Sequence, residues 1–590
     1  MSKFPHRSAR GLCLSVLLLG SLPAGARLTH PPLRLDALRA RLAELKGRLE
    51  DKPQEAQEFF IKKRAPIGTR QVPYDRYLTA LSRMRSMPQH STLDRTQAAS
   101  RAEAEAGGLA PRLARDAATS WTPLGPGNIG GRTRALVIDP TAPATLYAAA
   151  VDGGVWKTTD GGASWTPTSD LLANIAVNSL AIDPNDPQVL FAGTGEGYFN
   201  IDRAVGGGIY STTDGGASWT QLPNTNGFTF VNHIEISKST GNVYFATGGG
   251  VWRLDRHAGS LTKIFFSPAK QFGGCLDLGL RSTGGNDVLF ASCGTFAQAT
   301  VYQNKAAQAS GAFVPVLAMA GQGRTSLAIS PSNPNVIYAM AARNDNGPRG
   351  EYNQGLLGVF RSTQGGDPGT WKTQLLDSDR TRLNTRLLTN PVIADLLTCG
   401  FGTNNLFFNQ GWYDNVIQVD PVNPDRVWAG GIDLWRSDDG GKNWGLASYW
   451  WVEGQAASYA HADHHAITFD PGYDGVHNKT MYDGSDGGVF VTHDATAAVA
   501  RGRHATCDPN NTATTWTSLN NGYAVTQFYN GAVFPGGTRY FGGAQDNGTS
   551  LGDDANGPDR WSKILAGDGG FVAVNPNDTK LLYAENTGLS

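Results

Sequence analysis

Cysteine is scarce: the 590 residues contain five, and no two have the Cys-x-x-Cys spacing of thiolate metal sites or redox motifs. Charge is thin as well, at 17% of residues, against a usual share of about 25%. Lysine and arginine total 50 against 51 acids, for a net charge of −1. That balance leaves no basic footprint for nucleic acid, so no nucleic-acid partner is expected. Long apolar runs are missing too. The best one, "GLCLSVLLLG", is too short for a stable bilayer anchor. It follows Lys3, Arg7 and Arg10 and precedes the small residues "AGA" ending at Ala26, the layout of an export signal. Residues 1–26 are therefore read as a signal peptide, and the mature protein as secreted or periplasmic, without membrane insertion.

Removal of the signal takes Cys13 and leaves four cysteines. Cys275 opens the strand pattern "CLDLGL" and Cys293 closes "DVLFASC". Paired as an antiparallel hairpin, those two ends lie side by side, within reach of a disulfide. Cys399 and Cys507 remain as a second pair by elimination.

Glycine, with 73 residues, is abundant. Residues 27–118 carry leucines at helical spacing among charges, as in "LRLDALRARLAELKGRLED", and read as a helical leader or pro-region. From about Trp121 the pattern changes to short strands, and one phrase returns. It appears as "ALVIDPTAPATLYAAA", "SLAIDPNDPQVLFAGT", "SLAISPSNPNVIYAMA", "VIQVDPVNPDRVWAGG" and "FVAVNPNDTKLLYAEN", with four weaker copies. The better copies continue into "GVWKTT"-like strands, a glycine turn and a strand opening on Trp. Four short antiparallel strands per unit, repeated, is the pattern of an all-β fold of the β-propeller type. Nine such units exceed the usual four to eight blades.

The recurring turn has the form Ser/Thr-x-Asp-x-Gly-x-x-Trp. It occurs at Thr158–Trp165 with Asp160 and Trp165, at Thr212–Trp219 with Asp214 and Trp219, and at Ser437–Trp444 with Asp439 and Trp444. A broken copy ends at Trp371. These turns resemble the Asp-box, or bacterial neuraminidase repeat, across roughly residues 120–590. The resemblance implies a structural role for those aspartates and tryptophans. It also offers two architectures. One is a tandem of seven-bladed propellers, as in the xyloglucanase type, with 119–522 as the first propeller (units 1–7) and 523–590 as the start of an incomplete second. The other is a single ten-bladed ring of the sortilin type.

Asp-boxes join the two outer strands of a blade. Ligands are therefore sought on the opposite face, where loops enter the innermost strand and join the second to the third. Those positions hold Arg132, Arg134, Trp412, Tyr413, Asp414, His461, Asp463, His464, His465, Asp486, Gln545 and Asp546. The competing view is that polar residues line any wet channel. "HADHH" is the densest titratable cluster, with His461, Asp463 and His465 on one side of an extended segment and His464 on the other. Two imidazoles and a carboxylate suit zinc or acid–base chemistry, but no further ligand is identifiable, so the metal is left unknown and no cofactor is implied.

Glycoside hydrolysis needs two carboxyl groups flanking the scissile bond, and Asp152 in "VDGGVW" and Asp568 in "GDGGF" are the candidates. In the xyloglucanase type, a Thr-Asp-x-Gly-Gly motif carries a catalytic Asp. Alignment of the Gly-Gly pairs places Val151 there and Asp152 one residue late, which turns the side chain to the other face of an extended chain. The Arg-Ile-Pro motif implied by a sialidase resemblance is absent. The expectation is an exported propeller that binds an extracellular polymer, protein or glycan, at the channel face. A glycoside hydrolase with acids in an inter-propeller cleft is the alternative.

Overall fold

A computed structural model describes residues 123–586, except 170–171, 199, 201–202, 268–273, 348–351, 395–407 and 503, together with scattered residues between 61 and 98. The expected signal peptide lies outside the described residues. So does most of the expected helical leader, whose described part includes an antiparallel pair, Gln89–His90 with Gln97–Ala98.

From Thr133 onward the chain folds into eight four-stranded antiparallel sheets and one two-stranded sheet, each built from consecutive strands. We letter the strands of each sheet A to D in chain order. Sheet 1 has A Thr133–Ile138, B Leu146–Ala150, C Gly154–Thr158 and D Thr166–Pro167. The A strands of the next six sheets are Val177–Ile182, Val231–Ile236, Cys275–Thr283, Gln322–Ile329, Val416–Val419 and His464–Phe469. Each packs beside the next, and the seventh packs against the first. Seven sheets thus form a ring around a central channel. Sheet 8, with A strand Phe528–Val533, and the two-stranded sheet 9, Gly569–Val574 with Leu582–Asn586, follow after the ring.

Burial explains the strand sequences. B strands such as Leu146–Ala150 and Leu190–Thr194 are buried at every residue, because neighbouring sheets cover both faces. They accordingly read as unbroken runs of small and apolar residues. The innermost strand of sheet 1 alternates more, with Ala135 and Val137 of Thr133–Ile138 half-buried and Leu136 and Ile138 buried. Ring closure is made by side chains from both ends of the ring. Leu136, Ile138, Trp156 and Trp165 of sheet 1 share one apolar cluster with Tyr482, Val489, Leu519 and Tyr523.

In the repeated turns each aspartate is bonded within its own loop. Asp160 accepts hydrogen bonds from Thr158 Oγ1 (2.6 Å), Ser164 N (2.9 Å) and Ser164 Oγ (2.6 Å), all within one C–D turn. Asp214 repeats this with Thr212 and Ser218, and Asp439 with Ser437 and Asn443. Hydrogen bonds from Ser164 and Thr158 hold the Asp160 carboxyl down at about 2. Gly162 has φ 92°, and a Cβ there would stand 2.7 Å from Leu519 of sheet 7, so glycine meets both a conformational and a packing demand. The indole N–H of Trp165 donates to Leu519 O at 2.9 Å, fastening the turn to the last sheet of the ring. In the broken copy, Gln364 replaces the aspartate, and Ser362 and Thr370 hydroxyls bond each other directly at 2.8 Å.

Cys275 and Cys293 face each other across the A–B hairpin of sheet 4 and form a disulfide. Cys507 is also disulfide-bonded, while Cys399 lies outside the described residues. The segment before sheet 1 carries no assigned strand where it is described. It is pinned to sheet 8 instead. Trp561 Nε1 donates to Leu124 O at 2.8 Å, and Asn128 exchanges two hydrogen bonds with the Trp561 backbone.

Candidate ligand-binding face at the channel

The loops that enter A strands and those that join B to C converge on one end of the channel. There Glu196, fully buried, is the pivot. It follows strand B of sheet 2 and accepts Arg132 Nη1 at 3.1 Å, Arg134 Nε at 3.1 Å, Arg134 Nη2 at 3.0 Å and Asn200 Nδ2 at 3.1 Å. Arg132 Nε continues to Asp486 of sheet 7 at 3.4 Å, so a single guanidinium ties the second sheet to the seventh. Buried ion pairs hold only when their hydrogen bonds are well satisfied, and this one is built from both directions.

His465 completes the network. Its Nε2 lies 2.6 Å from Asp486 Oδ1, and its Nδ1 lies 2.9 Å from Arg134 Nη1. Arg134 can only donate, so Nδ1 accepts and the proton sits on Nε2, facing Asp486. Burial, reinforced by Arg134, lowers the His465 pKa to about 3 and keeps the ring neutral. Burial alone would raise Asp486, but Arg132 and His465 hold it well below the ordinary carboxylate range. Arg134 lies over the rings of Tyr413 (4.3 Å) and Tyr198 (4.5 Å), and Arg324 covers Tyr198 at 4.2 Å. Arg324 also donates to the main-chain carbonyls of Trp412, Tyr413 and Asn415.

Beside this paired set lie acids of opposite behaviour. Asp414 is wholly buried; no donor reaches either carboxyl oxygen, its neighbouring carboxyl is Asp463, and His465 Nδ1 lies 3.7 Å away. Burial and the charge of Asp486 push its pKa well above the usual range. Asp463 is raised likewise, by burial and then by Asp414 and Asp486. His464 points into its blade, with Nδ1 2.8 Å from Asp483 Oδ2, away from the other members of "HADHH". His461 turns toward sheet 8, its Nε2 3.2 Å from Asp546 O.

Of the two nominated catalytic acids, Asp152 is exposed and accepts Gln527 Nε2 at 2.6 Å. Asp568 is buried and accepts the backbone N–H of Asp546 at 2.8 Å. Gln545 and Asp546 are half-buried on the B–C turn of sheet 8. Trp412 is half-buried against Phe296 and Tyr413, whereas Tyr413 lies beneath the arginines with little exposed surface. Further down the channel, a cavity of about 380 Å³ is lined by Arg134, Arg324, His465, His233, Asp277 and Glu235. His233 bonds Asp277; burial would lower its pKa, but that carboxylate holds it up at about 9.

Tyr198 is the residue that sequence reading passed over. It sits two places after Glu196 in "GTGEGYFN", and only the stacking of two guanidiniums on its ring marks it. For metal binding, the donors that "HADHH" lacks on its own strand come from elsewhere: Asp463 meets Asp486 and Asp546, from two different B–C turns.

No family model matches the chain, and no curated protein is significantly similar to it. Solved structures do resemble it. The GH74 enzyme of Niastella koreensis superposes with a TM-score of 0.54 at 16% identity, covering 80% of this chain and 67% of its own. The GH74 xyloglucanase of Xanthomonas campestris gives 0.51 at 15% identity, covering 78% and 71%. The chain is a β-propeller protein. At these identities the likeness carries the fold and nothing of the activity. Among the described residues, no helix is long and apolar enough to cross a membrane.

Proposed function

We infer that this is an exported propeller that binds a polymer, glycan or protein, along the seam where the channel face meets sheet 8. The observation that carries this is how the acids are used. Glu196 and Asp486 are buried and committed to arginines and His465, so they brace the face instead of meeting a substrate. The exposed and half-buried groups at the seam are neutral or hydrogen-bonded polar ones, Asp152 with Gln527, then Gln545, Asp546 and the exposed Phe528. An aromatic edge among amides and carboxylates suits sugar rings or an extended peptide.

Polysaccharide hydrolysis is the second reading. What favours it is the contrast between Asp463, pushed toward the neutral acid, and Asp486, held ionised, with oxygens within 4.8 Å. Environments that drive two carboxyls apart are how acid and base roles are divided.

The test is retention on xyloglucan, other β-glucans, sialosides and extended peptides, run beside a reducing-end assay. Binding predicts retention without release of reducing ends, weakened by Gln527→Ala. Release of reducing ends by wild type, lost in Asp463→Asn, would replace this reading with the second.

A further inference from the structure

Four carboxyl groups converge where sheet 7 meets sheet 8. Oxygens of Asp463, Asp486 and Asp546 lie within 4.8 Å of one another. They arrive from separate segments: the loop entering strand A of sheet 7, the turn after its strand B, and the matching turn of sheet 8. Independent of this trio is Asp414, on the segment before sheet 6. It is wholly buried, no donor reaches either of its carboxyl oxygens, and it adjoins Asp463. A buried carboxyl without a donor is costly, and the partner beside Asp414 is a second carboxyl, Asp463, so that contact needs a proton or a cation between the two. Arg132 bonds Asp486 and Glu196 and its charge also reaches Asp463, while Arg134 bonds Glu196 and His465 and, with Arg324, acts on Asp414. The surrounding acids therefore outnumber the cations that reach them.

We propose that Asp463, Asp486 and Asp546, backed by Asp414, bind a hard divalent cation, with calcium the best fit. The offered donors are all oxygens, which select calcium, magnesium or manganese over softer ions. Calcium holds oxygens at about 2.3–2.6 Å in flexible geometry, so ligands on opposite sides of one ion stand up to about 5 Å apart. That matches the 4.8 Å spread of the three oxygens. Magnesium, at about 2.0–2.1 Å and nearly octahedral, requires the three loops to draw inward. His465 and Arg132 already orient Asp486, as outer partners of metal ligands do. The ion would join sheet 7 to sheet 8 and so fix the seam. Asp546 belongs to both this site and the polymer-binding seam, but the calcium titration reads the site with no polymer present. The competing arrangement is one proton shared between Asp414 and Asp463.

The test uses the full chain stripped with EDTA, titrated with calcium and with magnesium by calorimetry and followed by thermal melting. The expected result is one calcium per chain, a melting temperature raised by several degrees, and weaker magnesium binding. Asp463→Asn is expected to lose at least about ten-fold in calcium affinity, while Asp160→Asn on the opposite face binds calcium as wild type does. Wild-type calorimetry decides the matter even where Asp463→Asn does not fold. No heat and no melting shift with calcium up to about 10 mM, beyond the weakest extracellular calcium modules, overturns the site in favour of the shared proton. Calcium binding unchanged in a folded Asp463→Asn overturns the ligand assignment, and magnesium binding as tight as calcium overturns the choice of ion.

Discussion

Replacing Glu196 by Gln removes one negative charge from a side chain with no exposed surface, and little else. Asn200 keeps an oxygen to bond, and the side-chain volume is preserved. What changes is that two buried guanidiniums, which together place three hydrogen bonds on this carboxylate, lose their counter-charge. Arg132 retains Asp486, so Arg134 bears most of the loss. Breaking a buried pair from one side costs about 3–5 kcal/mol. Roughly 450 residues, the described part of the chain, melting together at about 2.1 cal/mol/K each give an unfolding entropy near 1 kcal/mol/K. The melting temperature should therefore fall by about 3–5 °C, read by calorimetry or near-ultraviolet circular dichroism. Adding Arg134→Met to Glu196→Gln removes the orphaned cation and should recover at least about 1 kcal/mol. If Glu196→Gln melts within a degree of wild type, the claim that this network braces the ring is refuted.

Asp160→Ala should lower the melting temperature and leave ligand retention intact, since its carboxylate serves only its own turn among the contacts described; lost retention with unchanged melting would contradict the scaffold role. Asp463 has a folded pKa raised above its unfolded value, so its favourable contribution is complete below about pH 3.9 and is lost as pH rises toward the folded pKa. In EDTA, the stability gained by Asp463→Asn over wild type should thus grow from about pH 4 to pH 8, and a flat difference between the two melting curves would remove the basis for it. Reducing Cys275–Cys293, whose partners are 18 residues apart in sequence, should cost about 3 kcal/mol, visible as a similar fall in melting temperature in the Cys275→Ser/Cys293→Ser double variant.

The repeat made most of the fold legible. A strand ending in Asp-Pro or Ser-Pro, then a strand of small residues, marks the A and B strands, and B strands such as Leu146–Ala150 and Leu190–Thr194 read as small and apolar because they are buried on both faces. The Cys275–Cys293 pair followed from the same register argument and is present. Ring closure was not legible. It depends on Trp165 reaching Leu519 and Thr133 reaching the Tyr523 hydroxyl at 3.0 Å, contacts between residues hundreds of positions apart. In the candidate site, sequence position located the loops but not the pairing. Arg132 and Arg134 were in view, yet nothing in "GGRTR" says that both turn to Glu196 and leave Asp414 without a donor. Likewise "HADHH" reads as one cluster, while the fold sends His464 to Asp483 and His461 to sheet 8. The left-handed backbone at Asp463, φ 68°, is what breaks the strand alternation there.

The central claim, that the channel-face seam binds a polymer while the repeated turns only hold the blades, is tested most directly by one comparison. Wild type, Gln527→Ala and Asp160→Ala are run through native gels cast with and without each soluble polysaccharide, with reducing ends assayed in the same samples. The account predicts that at least one polymer retards wild type and Asp160→Ala, retards Gln527→Ala less, and yields no new reducing ends. Retardation lost in Asp160→Ala and kept in Gln527→Ala would contradict it.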